Sequence, residues 1–194
     1  VMEPEQIPNI SYDKNLFARK LSELNENNNF IQQVLSTLGD TFTLTELKTK
    51  IAITQRSFGS KNLLNLTTAD NMLTLAESNY EVIFPETLPL SERVLFPLSP
   101  SQSKGIEDAR FVAFNNEDGT TIYYATYTAF DGQFILPQLL ETKDFTHFKF
   151  ITLNGPAVQN KGMCLFPRKI DGLYVMLSRQ DNENIFIMYS DNIH

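Results

Sequence analysis

A single cysteine, Cys164, and two histidines, His147 and His194, leave few of the side chains from which disulfide scaffolds and zinc sites are built. No intrachain disulfide can form, and a structural metal is not expected. Positive charge is scarce as well. Sixteen Lys and Arg face 23 Asp and Glu, for a formal net charge of -7 and a pI near 4.8, so nucleic acid is not an expected partner. No apolar run approaches the roughly 20 residues that cross a bilayer, and Val1-Met2-Glu3-Pro4 has neither a basic nor an apolar leader character. Neither Gly-x-Gly-x-x-Gly nor Gly-Lys-Ser/Thr occurs, which removes the nucleotide-cradling loops, and no cofactor is expected. These absences point to a soluble cytoplasmic chain without a membrane partner, and the chain reads as a piece of a longer polypeptide.

Proline is missing altogether between Pro8 and Pro85, whereas seven of nine prolines and six of eight glycines lie from Pro85 onward. Tight turns between short strands need Gly and Pro, and helix interiors exclude them. The sequence therefore predicts an α+β chain, helical over residues 1–78 and strand-rich over residues 79–194. With 194 residues, 42% of them apolar, the chain can bury a sizeable core.

In the first part, Leu16, Phe17, Leu21 and Leu24, then Phe30, Ile31, Val34, Leu35 and Leu38, recur at helical spacing, with Asn25 to Asn29 as a turn and Gly39 as a stop. Thr43 and Glu46 fit a capping box ahead of a third helix carrying Leu47, Ile51 and Ile53. A fourth helix is expected to start at Thr67 or Thr68, after a polar loop from Gln55 to Lys61. From Tyr80 the period becomes two. Strands are predicted at 80–84, 93–96, 110–114, 121–128, 134–136, 148–153, 163–166, 173–177 and 185–189, with hairpin turns at 115–120 and 130–133. This spacing suits four-stranded antiparallel units, as in a β-propeller or sandwich.

Gly105-Ile106-Glu107-Asp108-Ala109-Arg110 is the densest polar cluster, just ahead of a strand. One of its two carboxylates can pair with Arg110, while the other, if partly desolvated, could hold a proton for general acid work; an ion-paired loop support is the alternative. Lys161, Arg168, Lys169 and Arg179 gather within a short stretch of an acidic protein and suggest an anion pocket, against the alternative of solvated residues beside turns. His147 reads as a surface residue, since no nucleophile elbow accompanies it. Cys164, between Met163 and Leu165, reads as a buried inert thiol. Alternate residues among the tyrosines from Tyr123 to Tyr127 are expected in the core.

The order of motifs adds to this reading. GIEDAR, YYATYTAFDG, LETKDFTHF, NKGMCLFPRKIDGLYVMLSR and IFIMYSDNIH together resemble glycoside hydrolase family 130, the β-mannoside phosphorylases and related mannosidases. The resemblance covers residues 80 to 194. It departs at Ala109, where the family has proline, and at Arg168, where an acid is common. It implies a five-bladed β-propeller and an inverting cleavage of β-mannosides by phosphorolysis or hydrolysis. Asp108 would be the general acid; Glu107, Arg110, Asp131, Lys161 and Arg179 would contact substrate or phosphate. Partners would be a mannose-containing oligosaccharide and inorganic phosphate as co-substrate, with a homo-oligomer as a way to cover open blade edges. Five blades need ~250 to 300 residues at ordinary strand lengths, so this stretch supplies about two. The competing expectation is a noncatalytic carbohydrate-binding or assembly module with an incomplete site.

Overall fold

A computed structural model describes residues 2–58, 63–181 and 183–194. The chain divides into two compact units, Pro8–Glu77 and Val1–Ile7 with Ser78–His194.

The first unit holds four helices, α1 (Lys14–Glu23), α2 (Asn29–Ser36), α3 (Leu44–Phe58) and α4 (Leu63–Glu77), and a two-stranded antiparallel ribbon of β2 (Ser11–Asp13) with β3 (Thr41–Thr43). Side chains open three of the helices. Asp13 accepts from the Leu16 N–H and Asn28 from the Ile31 N–H. Thr43 and Glu46 form the expected reciprocal box, with the Thr43 N–H 2.7 Å from Glu46 Oε2 and the Glu46 N–H 3.3 Å from Thr43 Oγ1. The stripe on α3 is Leu47, Ile51 and Thr54, whereas Ile53 is exposed, because Leu47 to Ile51 to Thr54 keeps one helical face. Thr67 does not cap α4. The helix begins at Leu63 and Thr67 Oγ1 donates back to the Leu63 carbonyl. Of the expected loop, Gln55 to Phe58 is the last turn of α3, and Gly59 to Lys61 lies outside the described residues. The apolar stripes meet in one core around Phe30, Val34, Phe42, Leu47 and Met72.

The second unit is antiparallel. Its six-stranded sheet runs β1 (Glu5–Gln6), β4 (Tyr80–Ile83), β8 (His147–Thr152), β7 (Ile135–Thr142), β6 (Thr121–Phe130), β5 (Ile106–Asn115). A second sheet orders β11 (Phe186–Ser190), β10 (Tyr174–Ser178) and β9 (Cys164–Leu165). Sheets of six and three replace the expected four-stranded units. Arg93 to Phe96 is not a strand. Only an isolated bridge joins Arg93 to Met2, since a 3₁₀ turn at Leu90–Glu92 and Pro97 flank the stretch. The Arg93 guanidinium instead ties this segment down, donating to the carbonyls of Leu88 and Phe145.

Strand alternation places β6 between two cores. Ala125, Tyr127 and Ala129 face Val82, Leu140, Phe148 and Phe150 on one side; Tyr124 faces Phe114, Leu139, Leu165 and Met176 on the other. On the side of Tyr127 lies a buried amide network. Gln102 and Gln138 are both fully buried, Gln102 Nε2 donates to Tyr127 OH (3.0 Å) and to Gln138 Oε1 (3.2 Å), and Gln138 Nε2 donates to the Ser78 carbonyl (2.7 Å). Tyr80 OH completes it with a bond to Gln102 Oε1. Sequence reading passed over both glutamines. The signal was available in Leu136-Pro137-Gln138-Leu139-Leu140, where one amide interrupts an apolar run and must find partners if the run is buried.

Candidate active site

The site forms where β5 breaks its register. Glu107 pairs with Thr128 and Arg110 with Thr126, so Asp108 and Ala109 together oppose Tyr127, a bulge that adds one residue to β5. Asp108 takes a φ of 58°, left-handed backbone that Asp tolerates better than most residues. The bulge turns Asp108 back along its own strand. Arg110 grips it with a planar fork, Nε to Oδ1 at 3.1 Å and Nη2 to Oδ2 at 2.9 Å, while the carboxylate remains about one-third exposed and keeps lone pairs for a ligand.

A second segment brings the cation expected opposite. Thr126 Oγ1 on β6 donates to the Met163 carbonyl at 2.6 Å and anchors the turn Asn160–Met163 over the sheet. Asn160 and Gly162 both have positive φ, so the chain folds tightly and projects Lys161, whose Nζ lies 3.0 Å from Glu107 Oε1. Gly162 is needed for a further reason: a Cβ there would stand 2.7 Å from Nε and Nη2 of Arg179. The Arg179 guanidinium thus turns its Nε–Nη2 edge to the glycine, next to Lys161. It makes no ion pair among the described residues, whereas Arg110 and Lys161 each hold a carboxylate. Asp108, Lys161 and Gly162 share one crevice with Thr126, Thr128 and Gln138, of about 10 Å³, close to the least space that holds a water.

Of the residues singled out in the sequence, Glu107, Asp108, Arg110, Lys161 and Arg179 come together: three cations and two carboxylates. Asp131 serves its own turn, Oδ1 accepting from the N–H groups of Gln133 (2.8 Å) and Phe134 (2.7 Å). Arg168 and Lys169 depart from the group. They line a separate groove with Asn115, Asn116, Glu117, Asp118 and Tyr174, where Lys169 Nζ sits 4.6 Å from the centre of the Tyr174 ring. His147 Nε2 lies 2.6 Å from Glu81 Oε2. Cys164 is exposed rather than buried, because Met163 and Leu165 take the inward positions and alternation turns the thiol out. Tyr124 and Tyr127 are both buried, on opposite faces of β6, so burial is not confined to alternate residues as expected, because each face of this strand meets a core; burial raises both phenols well above the usual tyrosine range. Among the described residues, no group of three His, Cys, Asp or Glu could hold a metal, and no helix is long and apolar enough to cross a membrane.

Chemically, the bulge offers a reachable carboxylate held in a fixed orientation, and the neighbouring turn carries at Gly162 a guanidinium without an ion pair among the described residues. Such a set can hand a proton to a polar ligand and hold an anion next to it. Over part of its length the chain is similar to mannoside phosphorylases, in accord with the resemblance to glycoside hydrolase family 130 that the ordered motifs carry. The chain is 32% identical over 91 residues to a β-1,2-mannobiose phosphorylase from Listeria innocua, which covers 47% of this chain and 24% of that protein. It is 35% identical over 109 residues to a 1,2-β-oligomannan phosphorylase from a Thermoanaerobacter species, 54% of this chain and 34% of that protein. It therefore spans about a quarter to a third of the length of these curated relatives. The solved structure of the Listeria innocua enzyme with β-1,2-mannobiose is 28% identical, with a TM-score of 0.42, over 59% of this chain and 30% of that one. No family model matches the chain.

Proposed function

We propose that this chain carries part of the active site of a glycoside phosphorylase that cleaves β-mannosides, built on the blades of a five-bladed propeller as its family resemblance implies. Asp108 acts as the general acid, directly or through a sugar hydroxyl. Arg110 orients that carboxylate. Lys161 and Arg179 hold inorganic phosphate or the sugar, and Glu107 positions Lys161. The reading rests chiefly on one observation: Arg179, without an ion-pair partner among the described residues, lies against Gly162 beside the Glu107–Lys161 pair, in the cluster that includes Asp108.

An inverting phosphorolysis needs one acid and an anionic nucleophile on the opposite face of the sugar, so phosphate replaces the second carboxylate of a hydrolase. Three cations against two carboxylates leave a local positive balance in a chain of net charge -7, which favours phosphate over water as the nucleophile held there. Asp108 supplies its proton to the leaving oxygen. The cations screen charge on phosphate as it approaches the anomeric carbon.

The test is product analysis of the chain with β-1,2-mannobiose, with and without inorganic phosphate. Mannose 1-phosphate formed only with phosphate, and lost in Asp108→Asn, is the expected result. Free mannose without phosphate would establish hydrolysis instead. Absence of product in both conditions would remove catalysis from this chain. A second reading, a noncatalytic carbohydrate-binding module, is favoured by the exposure of the Asp108–Arg110 and Glu107–Lys161 pairs. It predicts sugar binding without turnover, unchanged in Asp108→Asn.

A further inference from the structure

Asp108 borders two cavities of opposite character. On one side is the small polar crevice shared with Lys161 and Gly162. On the other is a cleft of about 260 Å³ whose walls include Leu95, Ile106, Phe111, Ala125, Leu140 and Phe150. Its remaining polar members are Glu107, Asp108 and Tyr127. Tyr127 presents only its ring, since its hydroxyl accepts from Gln102 Nε2 and donates to Gln138 Oε1. Glu107 already holds Lys161 and Asp108 already holds Arg110.

A sugar ring placed in this cleft would bury most of its hydroxyls against apolar side chains, with only the remaining lone pairs of Glu107 and Asp108 at its rim to meet them. An apolar group meets no such cost. Cavities lined by Leu, Ile and Phe stay dry and take up benzene at about 150 Å³, so this one has room for an aromatic ring or a short alkyl chain. Phe111, exposed on its outer wall, can cover such a group further.

We infer that this cleft is a subsite for an apolar aglycone, so that the ligand class includes aryl and short alkyl β-mannosides, with the glycosidic oxygen at Asp108, the sugar outside the small crevice over the exposed side chains of Lys161 and Arg179, and the aglycone against Phe111 and Leu140. The inference rests on the reading of Asp108 as the residue that meets the glycosidic oxygen. It goes beyond that reading in assigning chemistry to the leaving group.

The test is calorimetric titration of the 194-residue chain with β-mannosides bearing methyl, propyl, butyl and hexyl groups, alongside the matching free alcohols. Each buried methylene should tighten mannoside binding ~3- to 4-fold, from ~0.8 kcal/mol per methylene, and the gain should level off once the cleft is full. Phe111→Ser should reduce the gain per methylene. Mannosides that bind with no dependence on alkyl length would overturn the inference and leave the mannoside reading intact. Alcohols that gain as much as mannosides, with no benefit from the sugar, would keep an apolar site and overturn its assignment to an aglycone along with the mannoside reading. Failure of both series to bind at millimolar concentration would overturn both.

Discussion

Replacing Gly162 by alanine separates the position of Arg179 from its charge. The glycine has a φ of 82°, where an L residue costs ~1 to 2 kcal/mol, and an added Cβ would lie 2.7 Å from Nε and Nη2 of Arg179. The guanidinium is the far end of a flexible side chain, so it swings aside at little further cost. Gly172, with a φ of 78° and no atom within 4 Å of an added Cβ, supplies the control for backbone strain alone. Both alanine variants should therefore lose similar stability, lowering the midpoint of thermal unfolding by ~3 to 10 °C for a unit of this size. Only Gly162→Ala should weaken phosphate binding. A lost bond to a charged group is worth ~1.5 to 3 kcal/mol, or roughly ten- to hundredfold in affinity. Circular dichroism melts and phosphate titration calorimetry measure the two effects. Equal phosphate affinity in Gly162→Ala and the parent would refute the claim that this contact sets the position of Arg179. Parent-like affinity in Arg179→Ala as well would refute the anion site itself.

Other perturbations test other parts. Gln102→Leu strands the Tyr80 hydroxyl and the Leu98 N–H and leaves Tyr127 only its bond to Gln138, and should cost about 3 kcal/mol in urea unfolding; an unchanged midpoint would show that the network is dispensable. Asp108→Asn should stop turnover while shifting stability by less than ~1 kcal/mol, because the pair it breaks is partly exposed; extensive unfolding would make it a structural ion pair instead. Tyr12, pushed up to about 12 by burial and then by Glu77, and Tyr80, Tyr124 and Tyr127, raised further by burial, should stay protonated in the native protein near pH 10.5. The unfolded chain ionises first, so their contribution to stability is full below about pH 10 and is lost as pH rises from there, which absorbance at alkaline pH will show as phenol ionisation coincident with unfolding. Glu46, held below its usual value of 4.5 by bonds from Thr43, has the opposite sign: its contribution is present above that pH and is lost as pH falls, and Glu46→Gln should flatten this part of an acid unfolding profile.

Long strands and the capping box at Thr43 were legible because each repeats a physical constraint several times: alternation over Thr121–Phe130, or a reciprocal pair of bonds three residues apart. Three-residue β2 and β3 carry too few positions to show a period, and their pairing joins residues 11–13 to 41–43. Arg93–Phe96 alternated without pairing, since alternation reports two faces and says nothing about whether a partner edge is at hand. Five of the six candidate site residues converge. The bulge that brings Asp108 around was not legible, because it depends on the register of β6 opposite and on an aspartate in left-handed backbone where sequence readers look for glycine. The split of the basic stretch, with Lys169 drawn to Tyr174, likewise depends on which sheet face each strand end meets.

The placement of β1 bears on how the chain folds. Gln6 pairs with Val82, and between them lies the whole helical unit, Pro8–Glu77. Closing a flexible loop of that length costs ~4 kcal/mol in chain entropy, more than two strand residues return by themselves. If the helical unit folds first through its own local contacts, the wandering segment becomes a fixed object and most of that cost is already met. Refolding should then be hierarchical, with helix formation preceding the attachment of β1. A polypeptide cut at residue 78 would retain the large sheet but lose its outermost strand, so a short linker from Ile7 to Ser78 is the cleaner way to separate the units.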